Sequence, residues 1–147
     1  MRVAVLVAMT ATLWTRAAEA QKQPVSNGRI AGEVAAGILG IPIGFAVGYT
    51  VGTGFRPHGS SNTGVAAGFA GALAGPAAAV NWVGNGGPSH GNFGWTVAGT
   101  ALGYGATILT FPLARKLPDG KLKLLATIAT TFLPAVGATI AYNSTRK

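Results

Sequence analysis

The chain has 147 residues and a formal net charge of +8, yet only 10% of its residues are charged while 49% are hydrophobic. Soluble domains carry about 25% charged residues, so this chain lacks the polar groups that would cover a water-exposed surface. It has no cysteine, which excludes disulfides, thiolate catalysis and cysteine-ligated metal. Its basic residues are dispersed between apolar runs, which favours membrane anchoring over nucleic-acid binding.

The first 20 residues have the pattern of a secretory signal peptide. Arg2 supplies the positive start, residues 3–13 are apolar, and Ala18 and Ala20 form a small-x-small cleavage site before Gln21. The apolar run is shorter than the roughly 20 residues that a membrane-spanning helix needs. We therefore predict a signal peptide over residues 1–20 and one mature domain over 21–147, with an uncleaved anchor as the alternative.

Four long apolar segments follow, over residues 30–52, 63–83, 93–114 and 122–142. As helices, each would be about 31–35 Å long, which matches a hydrocarbon core of about 30 Å. Links rich in Gly, Pro, Asn and Ser separate the segments and predict turns. The sequence thus predicts an all-α, membrane-embedded up-down bundle of about four glycine-rich transmembrane helices. A transmembrane β-barrel is the alternative fold, disfavoured because alternate positions are not polar.

Glycines recur at four-residue intervals within these segments. Residues four apart share one face of a helix, and a face without side chains lets two helix backbones approach closely in a membrane. We therefore predict ten helix-packing glycines: Gly40, Gly44, Gly48, Gly52, Gly64, Gly68, Gly71, Gly75, Gly99 and Gly103. Four prolines are expected to act as tolerated packing kinks: Pro42, Pro76, Pro112 and Pro134.

The distribution of charge predicts an orientation. With an exported N-terminus, the link between the third and fourth segments lies inside, and residues 115–123 make it the most basic link. Trp82 and Trp95 flank the uncharged second link, where an aromatic belt is expected. Asn81 and Asn85 are expected to cap the end of the second helix.

Few side chains in the predicted mature domain are suited to chemistry. His58 and His90 fall in links on opposite faces, so we expect no metal site that uses both. Glu33 is the one carboxylate within the apolar segments, and Arg29 four residues earlier predicts an ion pair. Asp119 falls in a link on the other face, so the chain offers no paired acids. We expect no enzymatic activity, no cofactor, no metal and no small-molecule ligand.

The Gly-x-x-x-Gly runs from Gly40 to Gly52 and from Gly64 to Gly75, behind a signal peptide, resemble those of bacterial glycine-zipper envelope proteins. The resemblance is compositional; it implies an envelope membrane location and carries over no catalytic residue and no ligand. We therefore predict a small integral membrane protein of the cell envelope with a structural or helix-interaction role. Its expected partners are the lipid bilayer and further copies of the chain, bound through the glycine faces. The alternatives are a small channel, pore or transporter subunit and an outer-membrane β-barrel.

Overall fold

A computed structural model describes residues 25–54, 62–86, 90–118 and 120–147. These residues form five helices: α1 Asn27–Gly52, α2 Asn62–Gly84, α3 Phe93–Arg115, α4 Lys121–Thr131 and α5 Leu133–Ser144. The all-α prediction is confirmed. The described ranges contain no strand, which contradicts the β-barrel alternative. The predicted signal peptide lies outside the described residues.

Three of the helices, α1, α2 and α3, are long and apolar enough to cross a membrane. Their bounds agree with the first three predicted segments to within three residues at each end. The fourth predicted segment is not one continuous helix, because α4 and α5 meet at a 45° bend. Only as a bent pair do they have the length and composition of a fourth span, so the described chain holds three candidate spans, or up to four.

Side-chain caps and a proline explain where several helices begin and break. The side chain of Ser26 accepts a hydrogen bond from the backbone N–H of Arg29 at the start of α1, and Asn92 does the same for Trp95 in α3. Such caps satisfy amide groups that the first helical turn leaves unpaired. The break between α4 and α5 falls two residues before Pro134, since proline lacks an N–H and its ring clashes with the preceding turn.

The helices pack as two antiparallel pairs, α1 against α2 and α3 against α5. Helices α1 and α2 also contact α5, α2 contacts α3, and α4 lies mainly against α3. Where the pairs meet, Val80 of α2 packs with Ala138 and Tyr142 of α5 in a small apolar core. Tyr142 and Val80 are the only large hydrophobic side chains among the buried core residues of the described ranges.

The large apolar side chains point outwards. On α1, Leu39, Ile43, Val47 and Val51 form an exposed stripe in which each residue is 58–61% exposed, and Trp82 of α2 is 83% exposed. The interior instead holds glycine, alanine and polar residues. This arrangement is the reverse of that in a water-soluble domain, and it is compatible with a membrane location.

Candidate functional site

Glycines bring the backbone of α1 into direct contact with that of α2 from Gly40 to Gly52, the C-terminal half of α1. A Cβ atom added at Gly40 would lie 2.6 Å from the carbonyl oxygen of Gly75, and one at Gly52 would lie 2.6 Å from the Cβ of Ala67. Real Cβ atoms essentially never come this close to another heavy atom. The opposed pairs along the contact are Gly40 with Gly75, Gly44 with Gly71, Gly48 with Ala67, and Gly52 with Thr63.

The contact between α3 and α5 is built in the same way but is shorter. Gly99 faces Gly137, and a Cβ at Gly103 would lie 2.5 Å from the Cα of Pro134. The two remaining predicted glycines, Gly64 and Gly68, are buried in α2. The first lies opposite Gly52 and the second under the ring of Phe45. The structure thus places all ten predicted glycines at contacts between helices of the same chain.

Sequence reasoning missed four further glycines at close contacts. A Cβ at Gly37 of α1 would lie 3.0 Å from the Cβ of Ala135 in α5, and Gly137 is the partner of Gly99. Gly84 and Gly91 both lie against Tyr142, where any side chain would overlap it. Gly37 lies three residues before Gly40, a spacing that also shares a helix face and could have revealed it. No spacing signals the glycines around Tyr142, because that contact joins distant parts of the chain.

A buried polar cluster, formed by Arg29, Glu33, Asn143 and the carbonyl of Gly84, joins three helices at one end of the bundle. The Glu33 side chain is fully buried, and its Oε1 lies 3.3 Å from Nε of Arg29. The predicted ion pair is therefore confirmed. Nδ2 of Asn143 donates to Oε2 of Glu33 at 2.5 Å, and Arg29 also donates to the carbonyl of Gly84. These bonds satisfy a charge that would otherwise be costly to bury.

Side chains next to this cluster connect the end of α2 to α5. The Tyr142 hydroxyl donates to Oδ1 of Asn85 at 2.8 Å, and Nη1 of Arg146 donates to Oδ1 of Asn143 at 3.3 Å. The side chain of Asn81 turns back to donate to the carbonyl of Ala77 at 3.0 Å. Asn85 follows the last residue of α2, and its backbone N–H donates to the carbonyl of Asn81 at 2.8 Å, so these two residues close the end of the helix through their backbones.

A hydroxyl group on α3 satisfies a carbonyl that a proline leaves unpaired in α2. Pro76 lies within α2 and has no N–H to offer the carbonyl of Ala72, four residues earlier. The Tyr104 hydroxyl donates to that carbonyl at 3.1 Å. A neighbouring helix can thus satisfy the carbonyl that a helical proline leaves unpaired.

The same device recurs at the break between α4 and α5. Pro134 leaves the carbonyl of Thr130 without its usual helical donor, and Oγ1 of Thr107 on α3 lies 2.8 Å from that carbonyl oxygen. The same hydroxyl lies 3.0 Å from the carbonyl of Gly103, so its single proton is shared between the two acceptors. Helix α3 therefore supplies a hydroxyl at both of these proline sites.

The described residues hold no group of three or more metal-ligating His, Cys, Asp or Glu side chains. His90 pairs with Lys147 through two backbone hydrogen bonds of 3.3 Å, and His58 lies outside the described ranges. Within those ranges, Oγ1 of Thr139 is the one buried side-chain polar atom without a hydrogen-bond partner. Comparison of the chain with protein-family models, curated proteins and solved structures found no match, so the glycine-zipper resemblance stays a prediction.

Proposed function

We propose that the chain is a small integral membrane protein of the cell envelope with a structural, helix-packing role. The observation that carries the proposal is the outward orientation of its large aliphatic side chains around an interior of glycine, alanine and bonded polar groups. In water this surface would be one large apolar patch, far beyond what monomeric soluble proteins expose. In a bilayer the same side chains contact lipid, and helix association relies on close backbone packing and internal hydrogen bonds.

The structural role follows from how the polar groups are used. The polar cluster connects α1, α2 and α5, and the hydroxyls of Tyr104 and Thr107 connect α3 to its neighbours. Each of these bonds holds one helix against another. The channel, pore or transporter alternative has less support, because the hydroxyls of the buried Thr96 and Thr100 donate to carbonyls of Asn92 and Thr96 next to them in the chain. Bonded in this way, these two hydroxyls have no free proton to donate to a solute.

Membrane embedding is tested by alkaline carbonate extraction of membranes that contain the full chain. We expect the protein to stay in the membrane pellet and to be released only by detergent. In brominated-lipid vesicles, Trp82 should be quenched strongly, because it is exposed on the outer surface of α2. A Trp82→Phe variant, in which Trp14 and Trp95 remain, isolates the Trp82 signal by difference. Release by carbonate, or fluorescence that brominated lipids do not quench, would contradict the proposal.

Self-association through the glycine faces is a further part of the proposal, and the packing restricts how it could occur. Because the ten glycines contact helices within the chain, a second copy would have to replace an internal contact. Native mass spectrometry in a mild detergent measures the oligomeric state. A protein that is monomeric at every concentration tested would remove self-association and leave membrane embedding untouched.

A further inference from the structure

The link between α3 and α4 carries the densest group of charges in the sequence. Residues 115–123 include four basic residues and one acidic residue, a net charge of +3. The basic residues are Arg115, Lys116, Lys121 and Lys123, and the acidic residue is Asp119. Because α3 ends at Arg115, α4 begins at Lys121 and the two helices pack together, these charges lie at one end of the bundle.

Three of the basic residues, the exposed cations Arg115, Lys116 and Lys121, are not used within the fold. All three are exposed, and within the part of the chain that the structure describes their side chains form no hydrogen bond and no ion pair. At the other end of the bundle, by contrast, Arg29 and Arg146 are both bonded to members of the polar cluster. The exposed cations are therefore available to a partner outside the chain.

The helix dipoles account for only part of this charge. A cation at the C-terminus of a helix is favourable, which explains Arg115 as the last residue of α3. Lys121 is the first residue of α4, where the dipole disfavours a cation. Stability of the isolated fold therefore gives no reason for a basic residue at Lys121, whereas contact with an anionic partner does.

Exposed leucines begin where the exposed cations end. Leu113 precedes the cations on α3, and Leu122, Leu124 and Leu125 follow them on α4. Each of these leucines is 60–64% exposed. A soluble anionic partner, such as a nucleic acid, would neutralise the cations and leave the leucines in water. The surface of a bilayer matches both groups, because headgroup phosphates meet the cations and the acyl chains beneath them meet the leucines.

We infer that this end of the bundle binds the headgroups of anionic phospholipids through Arg115, Lys116 and Lys121. The inference rests on the proposed membrane location and adds to it a lipid preference at one end of the molecule. Each cation near an anionic lipid surface contributes about fivefold in affinity. Zwitterionic headgroups carry no net charge and offer no such attraction. Anionic lipid is therefore enriched more strongly around the α3–α4 link than at the opposite end of the bundle.

The test is quenching of tryptophan fluorescence by brominated lipids in vesicles of equal parts phosphatidylglycerol and phosphatidylcholine. Leu122→Trp, in a chain whose Trp14, Trp82 and Trp95 are changed to Phe, gives a single reporter beside the exposed cations. Bromine on the acyl chains of one lipid at a time shows which lipid lies next to the reporter. We expect stronger quenching by brominated phosphatidylglycerol.

The natural Trp82, in a chain with Trp14 and Trp95 changed to Phe, is the control reporter. It is 83% exposed on α2 and lies near the opposite end of the bundle, where the cations bonded to the polar cluster have partners within the chain. Its preference for phosphatidylglycerol should be smaller than that of the Leu122→Trp reporter.

Removal of charge assigns the preference to the exposed cations. Arg115→Gln, Lys116→Gln and Lys121→Gln should each lower the enrichment at the Leu122→Trp reporter by up to about fivefold, and the triple variant should abolish it. Arg146→Gln, at the other end and bonded to Asn143, is the matched control and should leave the enrichment unchanged. Circular dichroism checks that each variant keeps its helix content.

Equal quenching by the two brominated lipids, or a preference that the triple variant retains, would overturn the inference. Equal quenching together with binding of a short fluorescent RNA that the triple variant abolishes would assign the cations to nucleic acid instead. Carbonate extraction is scored separately. A chain that resists extraction but shows no lipid preference loses this inference and keeps its proposed membrane location. A chain that carbonate releases loses both.

Discussion

The two helix pairs of this molecule, α1–α2 and α3–α5, bring their backbones together in different ways. In the α1–α2 pair, glycines recur on both helices at four-residue intervals, and backbone meets backbone from Gly40 to Gly52. In the α3–α5 pair, the glycine contact spans only Gly99 and Gly103. There the hydroxyl of Thr107 adds a hydrogen bond to Thr130 at the break before α5, and an apolar groove stays open along the outside.

The difference shows what a continuous glycine ridge provides and what it excludes. A ridge of four contacts brings the backbones of α1 and α2 against each other from Gly40 to Gly52. A short ridge beside bulkier residues leaves a groove, and specific hydrogen bonds then carry more of the helix–helix interaction. In a bilayer, burying apolar surface between helices gains little free energy, because lipid is equally apolar. There, both helix pairs would depend on close van der Waals contact and on hydrogen bonds between helices.

The largest effect is expected when the α1–α2 ridge is broken at its middle. Gly44→Leu places a branched side chain against the backbone of Gly71 and should lower the free energy of unfolding by more than about 4 kcal/mol. Unfolding is followed by circular dichroism during titration of mild-detergent micelles with sodium dodecyl sulfate. Ala46→Leu, on the exposed side of the same helix, is the control and should change stability by less than about 0.5 kcal/mol. Equal effects of the two variants would show that the ridge does not carry the contact.

The next largest effect concerns the polar cluster, which connects the two pairs to each other. Glu33→Ala leaves the Arg29 guanidinium and the Asn143 amide without their shared partner. We expect a loss of about 3 kcal/mol, at the low end for a broken buried pair because Arg29 is partly exposed. Glu33→Gln keeps an acceptor for Asn143 and should lose less. A Glu33→Ala variant as stable as the unaltered protein in the same titration would contradict the connecting role.

A pair of alanine substitutions in α3 compares a packed glycine with an open one. Gly99→Ala meets the backbone of Gly137, whereas a Cβ at Gly105 has no heavy atom within 4 Å. Alanine is a better helix former than glycine by about 1 kcal/mol. Gly105→Ala should therefore raise the free energy of unfolding by up to that amount, while Gly99→Ala should lower it by about 1–3 kcal/mol. The test is that the two substitutions change the free energy of unfolding in opposite directions. If Gly99→Ala also raised it, the α3–α5 contact would be loose.

The smallest effect isolates the hydroxyl bond at Pro76. Tyr104→Phe removes the donor to the carbonyl of Ala72 and should cost about 0.6–1.7 kcal/mol, the range for hydrogen bonds between membrane helices. In a Pro76→Ala background the restored N–H takes over that carbonyl, so the same substitution should cost less. A double-mutant cycle measures this coupling.

At the second proline site, Thr107→Val removes the hydroxyl that bonds to the carbonyl of Thr130, and Thr110→Val is its matched control. The Thr110 hydroxyl bonds to Ala106 within its own helix, so its removal should have the smaller effect. For the first proline site, a double-mutant cycle that shows no coupling between Tyr104 and Pro76 would mean that the carbonyl of Ala72 does not depend on α3.

Most of the fold could be predicted because glycine spacing and hydropathy act locally along the chain. The extents of α1, α2 and α3 follow from the length of their apolar runs, and the ion pair of Glu33 with Arg29 follows from a four-residue spacing. The rest depends on which helices become neighbours. Asn143 reaches Glu33 across 110 residues, and nothing in a linear pattern identifies that partner.

At the proline sites, the sequence predicts which carbonyl is left unpaired but not which group bonds to it. A helical Pro76 identifies Ala72 as the unpaired carbonyl by simple counting, but the donor, Tyr104, depends on how α3 packs. The interruption of the fourth segment at Phe132 could also be predicted only in part. Pro134 predicts a kink at this position, but the donor to the unpaired carbonyl of Thr130, the Thr107 hydroxyl, again depends on how α3 packs.

The dependence of α2 on Tyr104 has a consequence for biogenesis. In the proposed membrane location, an α1–α2 hairpin that left the translocation machinery ahead of α3 would carry the unpaired Ala72 carbonyl into hydrocarbon, at a penalty of several kcal/mol. The first half of the chain is therefore not a self-sufficient unit. Truncation before Tyr104 should yield a hairpin that quality-control proteases degrade, even though every glycine of its own ridge is present.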